Sequence, residues 1–158
     1  MTETRWLTPE QQEAWRALIT MSGTLQAVLD RQLRRTSKMP HAYYLILAML
    51  SEAEGRSLRM SELAGVLNAS ASRTSHAVSR LEEAGWVRRD RHATDGRGNV
   101  AVLTDLGWEV LEAVAPDHVE VVHSGVFDPL TPDQVTQLRE ISLAIQGGLE
   151  AIDRRPID

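Results

Sequence analysis

Apolar residues recur at helical spacing near both ends of the chain. Each of these stretches opens with the same signal, Thr8-Pro9-Glu10-Gln11 in one and Thr131-Pro132-Asp133-Gln134 in the other. A threonine N-cap, a proline in the first helical turn and a glutamine able to complete a capping box all favour a helix start. The apolar stripes that follow are Trp15, Leu18, Leu25, Leu29 and Leu33, and Val135, Leu138, Ile145, Leu149 and Ile152.

The stripes predict long amphipathic helices within residues 8–36 and 105–153. A helix opened by Thr104 and Asp105 precedes the last one, and Pro116 inside it predicts a kink or an early end. Neither terminal helix has an obvious core of its own to cover. We therefore expect the terminal helices to pack together, either within one chain or between two chains.

Three shorter elements are predicted in the middle of the chain. Residues 42–50 are apolar nearly all round, which is typical of a buried central helix. An extended connector at residues 57–59 leads to a brief helix that Ser61 is expected to cap. After a turn at residues 68–70, a second helix is predicted over residues 71–84.

Beyond Gly85 the pattern changes from helix to hairpin. Glycine terminates helices well, and residues 86–91 and 100–103 have the composition of two strands around a glycine-rich tip at residues 92–99. A brief helix, a turn, a second helix and a two-stranded wing follow in the order of a winged helix-turn-helix. That motif places one helix in the major groove of DNA and a hairpin beside it.

The helix over residues 71–84 has two chemically different sides when it is rotated by 100° per residue. One side is small and suits a core: Thr74, Ala77, Val78 and Leu81. The other can touch base edges or phosphates: Ser72, Arg73, His76, Ser79 and Arg80. These side chains fit a recognition helix, although an ordinary solvated helix face has a similar composition.

Charge is distributed unevenly along the chain of 158 residues, whose formal net charge is -5. Residues 56–99 contain eight arginines against five acidic residues, a formal charge of +3, so the remainder carries -8. A positive segment within an acidic protein is expected where one face meets phosphate. Chance variation is the alternative explanation for a charge of this size.

The predicted hairpin tip contains Asp95-Gly96-Arg97-Gly98. Its glycines allow a tight reversal and a close approach to a backbone. A tip arginine suits the narrow, electronegative minor groove, and Asp95 is placed to hold Arg97 or a strand arginine in position. The same four residues are also compatible with an ordinary hairpin turn.

Five pieces of the sequence, in this order and spacing, closely resemble the MarR family of bacterial transcriptional regulators. The resemblance covers nearly the whole chain, although the two ends match only in type. The pieces are Arg59-Met60-Ser61-Glu62-Leu63-Ala64, Ser70-Ala71-Ser72-Arg73, Arg80-Leu81-Glu82-Glu83-Ala84-Gly85-Trp86-Val87, Asp95-Gly96-Arg97-Gly98 and Leu103-Thr104-Asp105-Leu106-Gly107.

The resemblance implies a mainly α fold with a small β-hairpin wing, in which a winged helix-turn-helix at residues 41–104 is flanked by dimerisation helices at 8–36 and 105–153 within a single domain, 1–158. It also implies a homodimer that binds double-stranded DNA at a pseudo-palindrome, with half-sites about 10 base pairs apart. The recognition segment would supply Ser70, Ser72, Arg73, Thr74, His76 and Arg80. The wing would supply Arg97 with Asp95 as its orienting partner, and Arg89 to support the wing or touch phosphate.

Family regulators are commonly released from DNA by small aromatic or anionic molecules, which implies a repressor of nearby genes with a phenolic or carboxylate effector. We expect Trp15, Arg16, His41 and Tyr44 near the effector cleft because they combine apolar bodies with polar tips. Plain core packing is the alternative for Trp15 and Tyr44, and His41 is also placed to begin a helix.

Other classes of function receive little support. The chain has no cysteine, its histidines do not form a ligand pair at helical spacing, and we expect neither a metal nor a cofactor. No nucleophile elbow, phosphate-binding loop or acid and base pair indicates an enzyme. We expect a cytoplasmic protein with no membrane association. A winged-helix dimer that binds another protein and does not read an operator is the alternative function.

Overall fold

This computed structural model describes residues 4–67, 69–91 and 99–153. Within these ranges it contains six α-helices and one small sheet. Contacts divide the chain into two compact units, one ending at His118 and the other beginning at Val119. The helices are α1 (Pro9–Thr36), α2 (His41–Glu52), α3 (Met60–Val66), α4 (Ala71–Glu83), α5 (Asp105–Val122) and α6 (Pro132–Asp153). The strands are β1 (Ser57–Arg59), β2 (Val87–Arg91) and β3 (Asn99–Leu103).

Capping boxes begin α1 and α6, as their sequences predict. The hydroxyl of Thr8 accepts the backbone N–H of Gln11 at 3.2 Å, and the Gln11 side chain accepts the backbone N–H of Thr8 at 3.0 Å. Thr131 and Gln134 make the same pair of hydrogen bonds at 3.3 and 2.9 Å. Each box satisfies backbone donors that a helix start would otherwise leave unpaired.

The sheet has three antiparallel strands in the order β1-β3-β2. Residues 57–59, predicted as a connector, form β1 because their backbone pairs with β3, with Ser57 opposite Val102. The predicted two-stranded hairpin is present as β2 and β3, and β1 adds a third strand to it that the sequence did not predict. Three residues are too few to show an alternating pattern, and only the partner strand makes them part of a sheet.

Two local predictions were wrong, namely Ser61 as the cap of the brief helix and an early end of the later helix at Pro116. Helix α3 begins at Met60, so Ser61 lies inside it, and the Glu62 carboxylate accepts the backbone N–H of Arg59 at 2.7 Å. Helix α5 continues through Pro116 to Val122, followed by a π-helical turn at His123–Phe127. Proline removes one helical hydrogen bond, but buried side chains on either side of it keep this segment helical.

The core of the first unit lies between α2 and α4. Ile46, Leu47 and Leu50 of α2 are fully buried, which confirms the buried central helix. Val78 and Leu81 of α4 are also fully buried in the same cluster. Burying a side chain of this size stabilises a fold by about 1.5–3 kcal/mol. The inner side of α4 is therefore fixed against the domain, and its opposite side faces outward.

A tight corner joins the end of α4 to the start of α5. Gly85 has a φ of +76°, the left-handed conformation that terminates the helix. The Thr104 hydroxyl donates to the carbonyl of Gly85 at 2.7 Å and accepts the N–H of Gly107 at 3.0 Å. The carbonyl of Trp86 accepts the N–H of Thr104 at 3.1 Å and leaves no room for a side chain at Gly107.

We predict that Gly107→Ala destabilises the protein, because the added methyl carbon would overlap the Trp86 carbonyl oxygen and lie 2.8 Å from Leu103. The free energy of unfolding, measured by urea denaturation, should fall by at least about 2 kcal/mol. Gly65→Ala in α3 is the control, since a methyl group there meets no atom within 4 Å. It should raise the free energy of unfolding by up to about 1 kcal/mol. Equal effects of the two substitutions would contradict the close approach at Gly107.

Candidate nucleic-acid interface

The outer side of α4 presents polar side chains to solvent. Ser70 is the N-cap of this helix, and its hydroxyl accepts the backbone N–H of Arg73 at 3.3 Å. The structure brings the following predicted residues together on the exposed side: Ser72, Arg73, His76 and Arg80. A helix with one buried side and one side of hydroxyl, imidazole and guanidinium groups is suited to insertion into a major groove.

Thr74 does not belong to this exposed side. Its side chain is 1% exposed and lies on the inner side of α4, next to the buried Val78. The helical rotation predicts this inner position for Thr74, whereas the resemblance to the family places Thr74 among the residues that contact DNA. Burial leaves Thr74 no route to a base edge, so we correct that assignment.

Arg89 projects from β2 toward α4. Its Nη2 atom donates to the backbone carbonyl of Ser75 and to the hydroxyl of Ser79, both at 2.7 Å. Its Nε atom lies 3.6 Å from a carboxylate oxygen of Glu82, and the side chain is 26% exposed. These contacts fit the expected role of supporting the wing, and contact with phosphate stays a prediction.

Two neighbouring arginines, Arg80 and Arg88, are more exposed, and their ion pairs lie at the surface. Arg80 contacts Glu83 at 2.9 Å, and Arg88 contacts Asp90. Exposed pairs of this kind contribute little free energy, so a phosphate can compete for either guanidinium group. Arg97 and Asp95, the predicted contact of the wing tip and its orienting partner, lie outside the described residues.

A cluster of polar rings, separate from the exposed side of α4, forms where α1, α2 and α5 meet in the first unit. The ring centroids of Tyr44 and His118 are 4.1 Å apart, and those of His41 and His118 are 5.7 Å apart in a stacked arrangement. Asp30 of α1 accepts the backbone N–H of His41 at 3.1 Å and the Nε–H of Arg34 at 2.6 Å. We call His41, Tyr44 and His118 the ring cluster.

His118 was not among the predicted site residues. It is 8% exposed, and its Nδ1 atom has no hydrogen-bond partner among the residues described. Its spacing of seven from the buried Leu111 places both residues on one face of α5, a signal that could have identified it.

The other two predicted cleft residues lie elsewhere. Trp15 and Arg16 line an open cleft of about 480 Å³ together with Trp6 and Leu7, and neither His41 nor Tyr44 belongs to its lining. The four predicted residues therefore do not form one site. His41 and Tyr44 meet in the ring cluster, whereas Trp15 is 53% exposed near the start of α1.

The chain resembles known proteins over most of its length. Residues 37–98 match the sequence profile of the MarR family. Sco3205 from Streptomyces coelicolor, a MarR family transcriptional regulator crystallised in complex with DNA, is 50% identical; the match covers 93% of this chain and 92% of Sco3205, with a TM-score of 0.87. AbsC from the same organism, also a MarR family transcriptional regulator, is 39% identical over 94% of this chain and 99% of AbsC, with a TM-score of 0.86.

The chain belongs to the MarR family of transcriptional regulators. A more distant relative, the HTH-type transcriptional regulator PecS of Dickeya dadantii (strain 3937), is 23% identical over 124 residues, which are 78% of this chain and 74% of PecS. The winged-helix fold and the DNA-binding class predicted from the sequence are thereby confirmed.

The part of this MarR-family protein that the structure describes contains neither a metal-binding cluster nor a membrane-spanning helix. Within residues 4–67, 69–91 and 99–153, no group of three or more histidine or acidic residues is arranged to hold a metal ion. None of the described helices is both long and apolar enough to cross a membrane.

Burial changes the acid–base behaviour of the ring cluster. It lowers the pKa of His41 below the ordinary imidazole value, although the Asp30 carboxylate opposes part of this shift. It also lowers the pKa of His118, and repulsion from His41 adds to the effect. Burial raises the pKa of the Tyr44 phenol, and hydrogen bonds from Arg34 and then from the His41 amide hold the pKa of Asp30 below its usual range. Both imidazoles therefore favour the neutral form more strongly than a free imidazole does.

We predict that acid weakens the fold through the ring cluster. Because the pKa values of His41 and His118 are lower in the folded chain than in the unfolded chain, the unfolded chain takes up protons first as the pH falls. The free energy of unfolding should decrease between about pH 7.5 and pH 5.5, around the ordinary histidine pKa of about 6.5. His118→Phe should make this decrease smaller in urea titrations.

His76→Phe is the matched control, because His76 is exposed on α4 and lies outside the ring cluster. It should retain the pH dependence of the original protein. An unchanged pH dependence in His118→Phe would show that His118 does not contribute to it.

Proposed function

We propose that this MarR-family protein is a homodimeric repressor of nearby genes that binds specific sequences of double-stranded DNA and is released by a small aromatic or anionic ligand. The observation that carries the proposal is the two-sided structure of α4, whose Val78 and Leu81 are fully buried while Arg73 and His76 are exposed. The relative Sco3205, half of whose aligned residues are identical, was crystallised in complex with DNA.

The two sides of α4 support sequence reading because one side holds the helix against the core and the other side faces outward, where it can contact DNA. The buried side chains fix the helix to the domain, so its backbone needs little further ordering before its exposed side chains meet DNA. Guanidinium and hydroxyl groups can donate to base edges in the major groove or to phosphates. The formal charge of +3 over residues 56–99 favours the approach of DNA to this segment.

Apolar side chains exposed on the terminal helices support the proposed homodimer. On α1, Trp15 and Ile19 are 53% and 51% exposed, and on α6, Leu149 and Ile152 are 60% and 63% exposed. Soluble proteins usually cover apolar side chains that are exposed in such numbers along one helix. A second copy of the chain can cover them, and a two-fold dimer then presents two copies of α4 to a palindromic site.

Selection of bound sequences from a random pool of duplexes tests the proposal. We expect a palindromic motif whose half-sites are about 10 base pairs apart, the spacing of one turn of DNA. Equal affinity for the selected and a scrambled duplex at moderate salt would contradict sequence reading. That result would favour the alternative, a winged-helix dimer that binds another protein.

Arg73→Ala should weaken binding to the selected duplex by about 1–3 kcal/mol, roughly tenfold to a hundredfold, because it removes an exposed guanidinium group from the outer side of α4. Titration by fluorescence anisotropy measures this loss. Arg35→Ala is the control, since Arg35 is also exposed but lies in the last turn of α1. Similar losses in both variants would show that the effect depends on charge and not on α4.

The ring cluster supports the proposed ligand response. His118 Nδ1 is buried without a partner among the described residues, and the imidazole of His41 and the phenol of Tyr44 lie against the same ring. A carboxylate or phenol offers the complementary hydrogen-bonding groups, and its ring can pack against the cluster.

Thermal-shift screening with small phenolic and carboxylic acids tests this assignment. A ligand that binds the folded state should raise the melting temperature and weaken binding to the selected duplex. His41→Ala should reduce both effects, whereas Arg16→Ala, in the separate cleft near the start of α1, should retain them. The reverse pattern would move the effector site to that cleft.

A further inference from the structure

Arg89 connects β2, the first strand of the wing, to α4 through both its side chain and its backbone. Besides the two hydrogen bonds from Nη2 to Ser75 and Ser79, the backbone N–H of Arg89 donates to the Glu82 carboxylate at 3.2 Å. The Ser79 hydroxyl also donates to the carbonyl of Ser75 at 3.0 Å. One residue of β2 thus makes contacts along two turns of α4.

The spacing of these contacts restricts how α4 can move. Ser75, Ser79 and Glu82 are four and three residues apart, so they form one row along the helix. The row lies between the buried side, which contains Val78, and the exposed side, which contains His76. A strand attached along such a row opposes rotation of the helix about its own axis, and such a rotation would redirect the exposed side chains.

We propose that Arg89 and Ser79 are positioning residues that set the rotation of α4 relative to the wing and thereby determine which bases the protein selects. Neither residue needs to touch DNA in this role. The proposal rests on the proposed function, because it presumes that α4 reads bases. It differs from a phosphate contact, which strengthens binding to all duplexes alike.

The hydrogen bonds of Arg89 favour this role over a contact with phosphate. Nη2 already has two acceptors within the domain, and the Arg89 side chain is only 26% exposed, so a phosphate that drew this group away would break both hydrogen bonds. Hydrogen bonds to a charged group are stronger than those between neutral groups, so this connection is hard to break. Ser79 supplies the side-chain acceptor that a small substitution can remove.

Binding measurements on Ser79→Ala and Arg89→Lys test the proposal. Ser79→Ala removes one acceptor, and Arg89→Lys keeps the charge but loses the planar fork. Each should weaken binding to the selected duplex by about tenfold. Binding to a scrambled duplex, and the slope of log affinity against log salt, should remain unchanged, since no phosphate contact is lost.

Two controls separate positioning from packing. Ser75→Ala removes a hydroxyl from the same row but keeps the carbonyl that accepts from Arg89, so it should bind like the original protein. Ser79→Thr keeps the hydroxyl, so it should bind the selected duplex as tightly as the original protein does, in contrast to Ser79→Ala. Thermal melting of each variant identifies any loss of folding, which would lower the active fraction without changing the preferred motif.

Three results would overturn the proposal. One is a salt slope shallower by about one in Arg89→Ala, which removes the charge, with weaker binding to the scrambled duplex, since this indicates a phosphate contact. Another is unchanged discrimination in Ser79→Ala, and the third is an equal loss in Ser75→Ala. If the original protein itself fails to discriminate between duplexes, the proposed function fails as well, which distinguishes that failure from loss of the positioning role alone.

Discussion

Burial of the inner side of α4 is the constraint on which the rest of the first unit depends. Val78 and Leu81 are fully enclosed with Ile46 and Leu47 of α2, so α4 cannot shift without opening the core. Close-packed interiors tolerate such movement poorly. The buried residues of α4 therefore also fix the position of its exposed side.

The wing is tied to that same helix at two places. At one, the corner of Gly85 and Trp86 is held by Thr104, which also receives the N–H of Gly107 at the start of α5. At the other, Arg89 reaches back from β2 to Ser79. Helix α4, the corner and β2 are thereby connected by hydrogen bonds as well as by the continuous chain, which favours their movement as one rigid group.

Positive charge and exposed apolar side chains lie in different segments of the chain. The formal charge of +3 falls on residues 56–99, whereas the remaining residues carry -8. The apolar side chains exposed on α1 and α6 lie outside the positive segment. An acidic remainder discourages unspecific contact with DNA elsewhere on the surface, while the exposed apolar side chains suit an interface with another copy.

The sequence by itself determined the elements whose signals are local. The capping boxes at Thr8 and Thr131, the end of α4 at Gly85 and the two sides of α4 follow from neighbouring residues within a few turns. The family pattern added the order of helix, helix and wing. Transfer by pattern alone misplaced Thr74, because a family segment does not distinguish buried from exposed positions within it.

Only the tertiary structure decided the features that depend on residues distant in the chain. Residues 57–59 became a strand because β3 pairs with them, and Arg89 became a connection to α4 because Ser75 and Ser79 lie opposite it. His118 joined His41 only when α2 and α5 packed together. Periodicity records which side of an element is apolar, but the partner of each polar side chain is set by contacts between elements.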